Sequence, residues 1–173
     1  MMMTVEELIE KYQLIPHPEG GYFRETYRSE GVIPHSALPS NFKGDRNYCT
    51  GIYFLLPQGT KSHLHRIQSD EMWHFYLGGS MTLLLMHEDY GVQNIILGSN
   101  ILAGEKVQFV VPAGWWFGGY PNSESSYSFV GCTVAPGFDF ADFELANRDE
   151  LLQKFPGSTD IILTLTPEPE SVF

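Results

Sequence analysis

Two imidazoles stand two residues apart at His63 and His65, and a carboxylate follows at Glu71. On a β-strand that spacing places both rings on one face, and Glu71 opens the next strand after a turn. Two imidazoles and a carboxylate can hold a divalent ion: zinc, nickel, manganese or iron. Zinc and nickel tolerate such a mixed set with water or ligand atoms completing it, whereas a dedicated iron site wants one more protein ligand. The same groups also suit metal-free acid–base chemistry, with Glu71 as general base and His65 or His63 as its partner acid, since burial tunes both types toward neutral pKa. In a plainer reading the two rings only hydrogen-bond to their neighbours. His74 has the parity opposite to Glu71 and reads as a structural or surface histidine.

If Glu71 faces inward, Trp73 and Phe75 on the same strand do too. Arg24 and Glu25 follow the rigid turn His17-Pro18-Glu19-Gly20-Gly21. Arg24 is placed to clamp a carboxylate or phosphate, or to form a rim salt bridge with Glu25 or Asp45. Arg66 follows the second histidine and so faces away from it. Cys49 and Cys132 are the two cysteines; they lie in apolar, β-like runs and read as buried free thiols, not as a disulfide framework or a thiolate cluster.

The elements that must position these side chains are short. Thr4 with Glu7 makes a capping box, and Val5, Leu8, Ile9 and Tyr12 recur at helical spacing, so a helix is predicted over 5–12. A strand follows at 22–28, with Phe23, Glu25 and Tyr27 on one face and Tyr22, Arg24, Thr26 and Arg28 on the other. Residues 29–46 form a long polar loop, a length often used for function or as a lid. Further strands are predicted near 47–56, 61–66, 71–77, 81–87, 92–97, 107–111 and 127–134, most of them separated by Gly, Pro, Asp or Asn. Asn147 caps a short helix carrying Leu151, Leu152 and Phe155, which Pro156-Gly157 ends. Ile161–Leu165 reads as a last edge strand, and the Pro-Glu tail at 167–173 as loose. Many short strands without crossover helices mean an all-β sandwich or barrel, here one domain over 1–166.

Composition bounds the function. Apolar residues make up 43% of the 173 and charged residues 18%, an ordinary soluble balance. Twelve Phe, nine Tyr and three Trp suit strands and can line a cavity. A net charge of −11 lacks the basic stripe of a nucleic-acid binder and opposes attraction to anionic membranes. Nothing at the N-terminus reads as a signal peptide, and the apolar runs are too short to span a bilayer; a cytoplasmic location is the expectation.

Gly59, His63, His65, Glu71 and Gly78, in that order, resemble the first motif of the cupin superfamily. Gly104 to Phe117, with Val110-Val111-Pro112-Ala113-Gly114, resembles its second. The turn at 17–21 with Tyr22-Phe23-Arg24-Glu25, the run Ser69-Asp70-Glu71-Met72-Trp73, and Val134-Ala135-Pro136-Gly137-Phe138 are similar to one branch, the small fifth cupin family. The resemblance covers roughly residues 5–145 and implies a cupin-like, RmlC-like jelly-roll β-barrel with short helices near both termini. By the motif, His63 and His65 face the interior. Five residues separate His65 from Glu71 where most metal-binding cupins have three or four, and Phe117 stands where the second motif normally has a histidine, so Phe117, and Trp115 by parity, line the pocket. The implied ligand is a small polar or sugar-like molecule. The implied activity is that of an epimerase, isomerase or lyase; a non-catalytic binding or sensing protein and a metal-dependent enzyme of oxygenase type are the alternatives. A homodimer is expected, because cupins of this size resemble two-fold dimers.

Overall fold

The computed structural model describes residues 3–122 and 125–168. Its strands are β1 (Ile15–Pro16), β2 (Tyr22–Arg28), β3 (Val32–Ile33), β4 (Arg46–Asn47), β5 (Thr50–Pro57), β6 (Ser62–Arg66), β7 (Asp70–Gly78), β8 (Met81–His87), β9 (Gly91–Leu97), β10 (Gln108–Val111), β11 (Trp116–Pro121), β12 (Tyr127–Ala135) and β13 (Glu144–Leu145). A six-stranded sheet runs β1-β2-β5-β12-β7-β10, and a five-stranded sheet runs β13-β6-β11-β8-β9. The strand pairs within both are antiparallel. Among the described residues the two ladders stay separate, so the jelly roll is a two-sheet sandwich and not a closed ring of strands. Phe54, Trp73, Met81, Leu83, Phe117 and Val130 fill the space between the sheets.

The pattern of β8 explains where the helices go. Met81, Leu83 and Leu85 point into the sandwich, while Leu84 and Met86 point out, yet all are buried. A strand covered on both faces reads as an unbroken apolar run. The cover is α2 (Arg148–Lys154) and α3 (Thr159–Leu165), which bring Leu151, Ile162 and Leu165 onto the outer face beside Leu64 and Trp116. The edge strand expected at 161–165 is therefore α3: Ile162 and Leu165 lie three apart, on one helical face, and both are fully buried. At the other end α1 (Val5–Tyr12) begins at Thr4, whose hydroxyl accepts from the Glu7 amide while the Glu7 carboxylate accepts from the Thr4 amide. It buries Leu8 against Leu55 and Phe129.

Strand β11 was not among the expected elements. It lies between β6 and β8, with Phe117 opposite Leu85 and Gly118 opposite Leu84. A Cβ on Gly118 would stand 2.6 Å from the Ser62 carbonyl oxygen, so the glycine that hides the strand in the sequence also lets it pack this closely. Residues 167 and 168 follow α3 without regular structure; the rest of the expected tail lies outside the described residues.

Of the three register shifts among the described strands, two decide which side chains line the cavity. On β6, His65 pairs with Phe117 but Ser62 with Gly119, so three steps on one strand answer two on the other. On β2, Glu25 pairs with Ile52 and Tyr27 with Gly51, which leaves Thr26 as the extra residue. Each is a β-bulge, and each exchanges the faces of the residues beyond it.

Candidate functional site

A cavity of about 240 Å³ opens at one end of the sandwich. Phe23, Glu25 and Arg28 of β2, Thr50, Ile52 and Phe54 of β5, and Cys132 and Val134 of β12 form one wall. His65 and Ile67 form the opposite side, and Glu71 enters from the start of β7. His17 and Glu19 come from the turn before β2. Phe138, Asp139, Phe140 and Phe143, after β12, complete the rim.

Backbone hydrogen bonds hold the turn that carries Glu19. The His17 amide donates to the Gly21 carbonyl and the Gly20 amide to the His17 carbonyl, both at 3.0 Å. The His63 amide donates to the Glu19 carbonyl at 2.7 Å, which docks the turn on β6. Gly20 has φ +111°, and a Cβ there would collide with the Lys61 carbonyl oxygen. Only glycine accommodates both demands.

Docked in this way, the Glu19 carboxyl lies between β6 side chains. The Ser62 hydroxyl donates to its Oε1 at 2.8 Å, and His65 Nε2 lies 3.1 Å from its Oε2. His65 Nδ1 is 2.8 Å from the His63 carbonyl oxygen. A carbonyl can only accept, so Nδ1 carries a hydrogen. The contact between Nε2 and Glu19 therefore holds one shared proton, either on the acid or on the ring. On His17 the assignment is reversed. Its Nδ1 accepts the Glu19 amide at 3.2 Å, which leaves the ring neutral with its hydrogen on Nε2.

Burial sets the electrostatics of this group. Glu19 is pushed up to about 7 by loss of solvent, against the opposing pull of His17 and the Ser62 hydrogen bond. Glu71 is also pushed up to about 7, first by burial; His65 and a Cys132 hydrogen bond pull it back, and the like charge of Glu19 adds to the rise. Burial lowers His65, offset in part by Glu71, and lowers His17 despite Glu19. The Cys132 thiol is pushed up by burial and by Glu71. Two buried carboxyl groups, each pushed up to about 7, thus stand beside His65.

Of the expected site residues, Glu71 and His65 come together and Glu25 reaches the rim. His63 does not share the inner face with His65, because the β6 bulge gives that place to Ser62. Arg24 is exposed on β2 and does not line the cavity; beyond the Thr26 bulge, Arg28 does. Arg28 grips Glu25 at 2.9 and 2.8 Å and also donates to Asn47 Oδ1 and the Phe138 carbonyl. Trp73, Phe75 and Phe117 belong to the packed core rather than the cavity wall; the Phe117 ring lies 4.1 Å from that of His65. Trp115 stacks on Tyr90 and lies against His87 near the β8–β9 hairpin. His74, as expected, lies on the outer face, bonded to Thr133 and Gln108. Glu19 escaped the sequence reading because its segment reads as a turn. The signal was there in a carboxylate placed directly before two glycines.

The metal set drawn from His63, His65 and Glu71 does not fit this arrangement. His63 stands outside the cavity, and both nitrogens of His65 already have partners. Among the described residues no group of three or more His, Cys, Asp or Glu is placed to hold an ion.

Two antiparallel sheets in this order, with a cavity at one end between them, define a cupin jelly roll. The particular family follows from the sequence: residues 6–146 match the family described as Cupin superfamily (DUF985), and the chain belongs to it. "Uncharacterized protein YML079W" of Saccharomyces cerevisiae is 34% identical over 158 residues, covering 86% of this chain and 78% of that protein. The crystal structure of protein SO0799 from Shewanella oneidensis superposes with a TM-score of 0.86 at 38% identity, covering 97% of this chain and all of that one. A hypothetical protein from Leishmania major gives 0.86 at 32%, covering 96% of this chain and 100% of that one. Oxalate decarboxylase from Bacillus subtilis gives 0.53 at 14% identity, over 90% of this chain and 37% of that one, a likeness of fold alone. No helix among the described residues is long and apolar enough to cross a membrane.

Proposed function

We propose that the cavity binds a small polar molecule and that Glu71, with the Glu19–His65 pair, moves a proton on it without a metal, as an epimerase, isomerase or lyase does. One observation carries the reading: two buried carboxyl groups, both pushed up to about 7, stand beside His65 on the wall of a cavity lined also by five phenyl rings and three aliphatic side chains. A general base that gives and takes protons works best near the ambient pH, and an apolar pocket with a few convergent polar groups is the usual form of a small-molecule site. Glu71 is the base. Glu19 and His65, which share one proton, supply or accept the second. At about 240 Å³ the space suits a ligand smaller than drug size.

Hydrogen exchange at carbon tests this across a whole class of compounds at once. Protein prepared without an affinity tag is incubated in heavy water with small aldoses, ketoses, hydroxy ketones and amino sugars, and deuterium uptake at carbon is read by proton NMR. Uptake that needs the protein and falls at least about a hundredfold in Glu71→Gln supports the proposal. Ligand binding without exchange for any compound, in wild type and variant alike, replaces it with the binding-protein reading.

A further inference from the structure

We propose that the occupant of this cavity is a small organic cation, a primary or quaternary amine (amino sugars included), rather than an anion or an uncharged molecule. The inference rests on reading the cavity as the ligand site and adds the charge of the ligand. The wall carries four carboxyl groups, Glu19, Glu25, Glu71 and Asp139, against a single guanidinium, Arg28. Arg28 is matched by Glu25 in a two-point contact, and its other bonds go to Asn47 and the Phe138 carbonyl. Neither histidine brings a spare positive charge: His17 accepts a backbone amide at Nδ1, and His65 shares a single proton with Glu19.

Glu71 is the group left without a proper partner. It is more than nine-tenths buried, lines the cavity, and among the described residues its one hydrogen-bond partner is the weak thiol donor of Cys132. Five phenyl rings, of Phe23, Phe54, Phe138, Phe140 and Phe143, line the same space. The electron-rich faces of such rings attract ammonium groups, and rings with a carboxylate recognise alkylated amines. An ammonium would give Glu71 the counter-charge it lacks. An anion would face carboxylates with no free cation, and an uncharged molecule would leave Glu71 in its protonated form and draw nothing from its charge.

The experiment compares choline with its uncharged isostere 3,3-dimethylbutan-1-ol and with acetate, by calorimetry or ligand-observed NMR on the full chain at pH 6 and pH 8. Glu71 is faced by His65 from β6, Cys132 from β12 and Glu19 with His17 from the turn, while Glu25, Arg28 and Asp139 lie at the rim. A cation needs the ionised carboxyl, so choline should bind about tenfold more tightly at pH 8 than at pH 6, following the ionised fraction of a group near 7. The alcohol should bind at least about tenfold more weakly than choline at pH 8, with little pH dependence, and acetate more weakly still. Glu71→Gln should abolish the preference for choline. Phe140→Leu, which keeps apolar bulk at the rim, should weaken choline about two- to fivefold and leave the alcohol unchanged. Equal binding of choline and the alcohol, preference for acetate, or no binding by any of the three up to about 100 mM overturns the proposal. Deuterium exchange on uncharged sugars without choline binding leaves the proton chemistry standing and removes the cation; choline binding without exchange does the reverse.

Discussion

Replacing Glu71 with Gln should make the protein more stable, and more so as the pH rises. The native chain holds the Glu71 carboxyl at about 7, against 4.5 for an unperturbed one. Between those values the folded protein keeps a proton that the unfolded chain has released, so stability falls with rising pH and levels off above 7. At about 1.4 kcal/mol per pKa unit, the rise amounts to about 3 kcal/mol set against the native state at pH 8. Glutamine is close in size to the protonated acid and carries no charge, so the variant escapes this cost. Urea denaturation followed by tryptophan fluorescence, which buried Trp73 should report, measures the difference. The gain of the variant over wild type should grow by about 2–3 kcal/mol between pH 5 and pH 8. A variant less stable than wild type at pH 8, or a gain independent of pH, would refute the reasoning: Glu71 would then be an ionised anchor of the sandwich, and its place in proton transfer would fall with it.

Three further outcomes are expected. Asp142→Asn leaves the Arg46 guanidinium buried without its partner, where the wild type has two bonds of 2.6 Å; chemical denaturation should show a loss of about 3–5 kcal/mol. Gly20→Ala forces a Cβ toward the Lys61 carbonyl at a φ of +111°; it should cost about 2 kcal/mol or more and, by lifting Glu19 off Ser62 and His65, shift the pH profile of ligand binding. A two-fold dimer formed through the outer face of the six-stranded sheet, where Tyr76 and Val110 are exposed, should sediment at twice the monomer mass at micromolar concentration; a monomer there rejects that interface.

Most of the fold was legible because local signals and the order of motifs agreed. Thr4 and Glu7 announce α1, and the glycines and prolines that separate the central strands mark their ends. The misreadings have physical causes. Ile161-Ile162-Leu163-Thr164-Leu165 has a strand-like composition, but the helical surface left open by Leu151 and Phe155 decides its structure. Trp116–Pro121 holds two consecutive glycines, which weaken strand propensity and serve close packing here. The site was legible in part. Glu71 and His65 were found through their spacing; His63 and Arg28 were misplaced because parity counting assumes unbroken alternation and a bulge leaves no mark in the sequence, whereas Arg24 was set beside the cavity although that alternation already turns it away from Phe23 and Glu25. Glu19 could be found only by asking what a carboxylate in a rigid turn can reach across space.

The bulge on β6 also has a bearing on descent. It works like a frameshift in three dimensions: one extra residue between Ser62 and His65 hands the interior place before His65 from His63 to Ser62. Loss of the bulge, with β6 in regular alternation through His63 and His65, would turn both rings inward and convert a hydrogen-bonding wall into a chelating one while both histidines stayed in the sequence. Kinship in the letters and kinship in the chemistry can therefore part company among relatives of this chain. The pair that reports which state a relative occupies is a serine three residues before the inward histidine and a carboxylate in the turn ahead of β2, because those two residues meet only when the bulge is present.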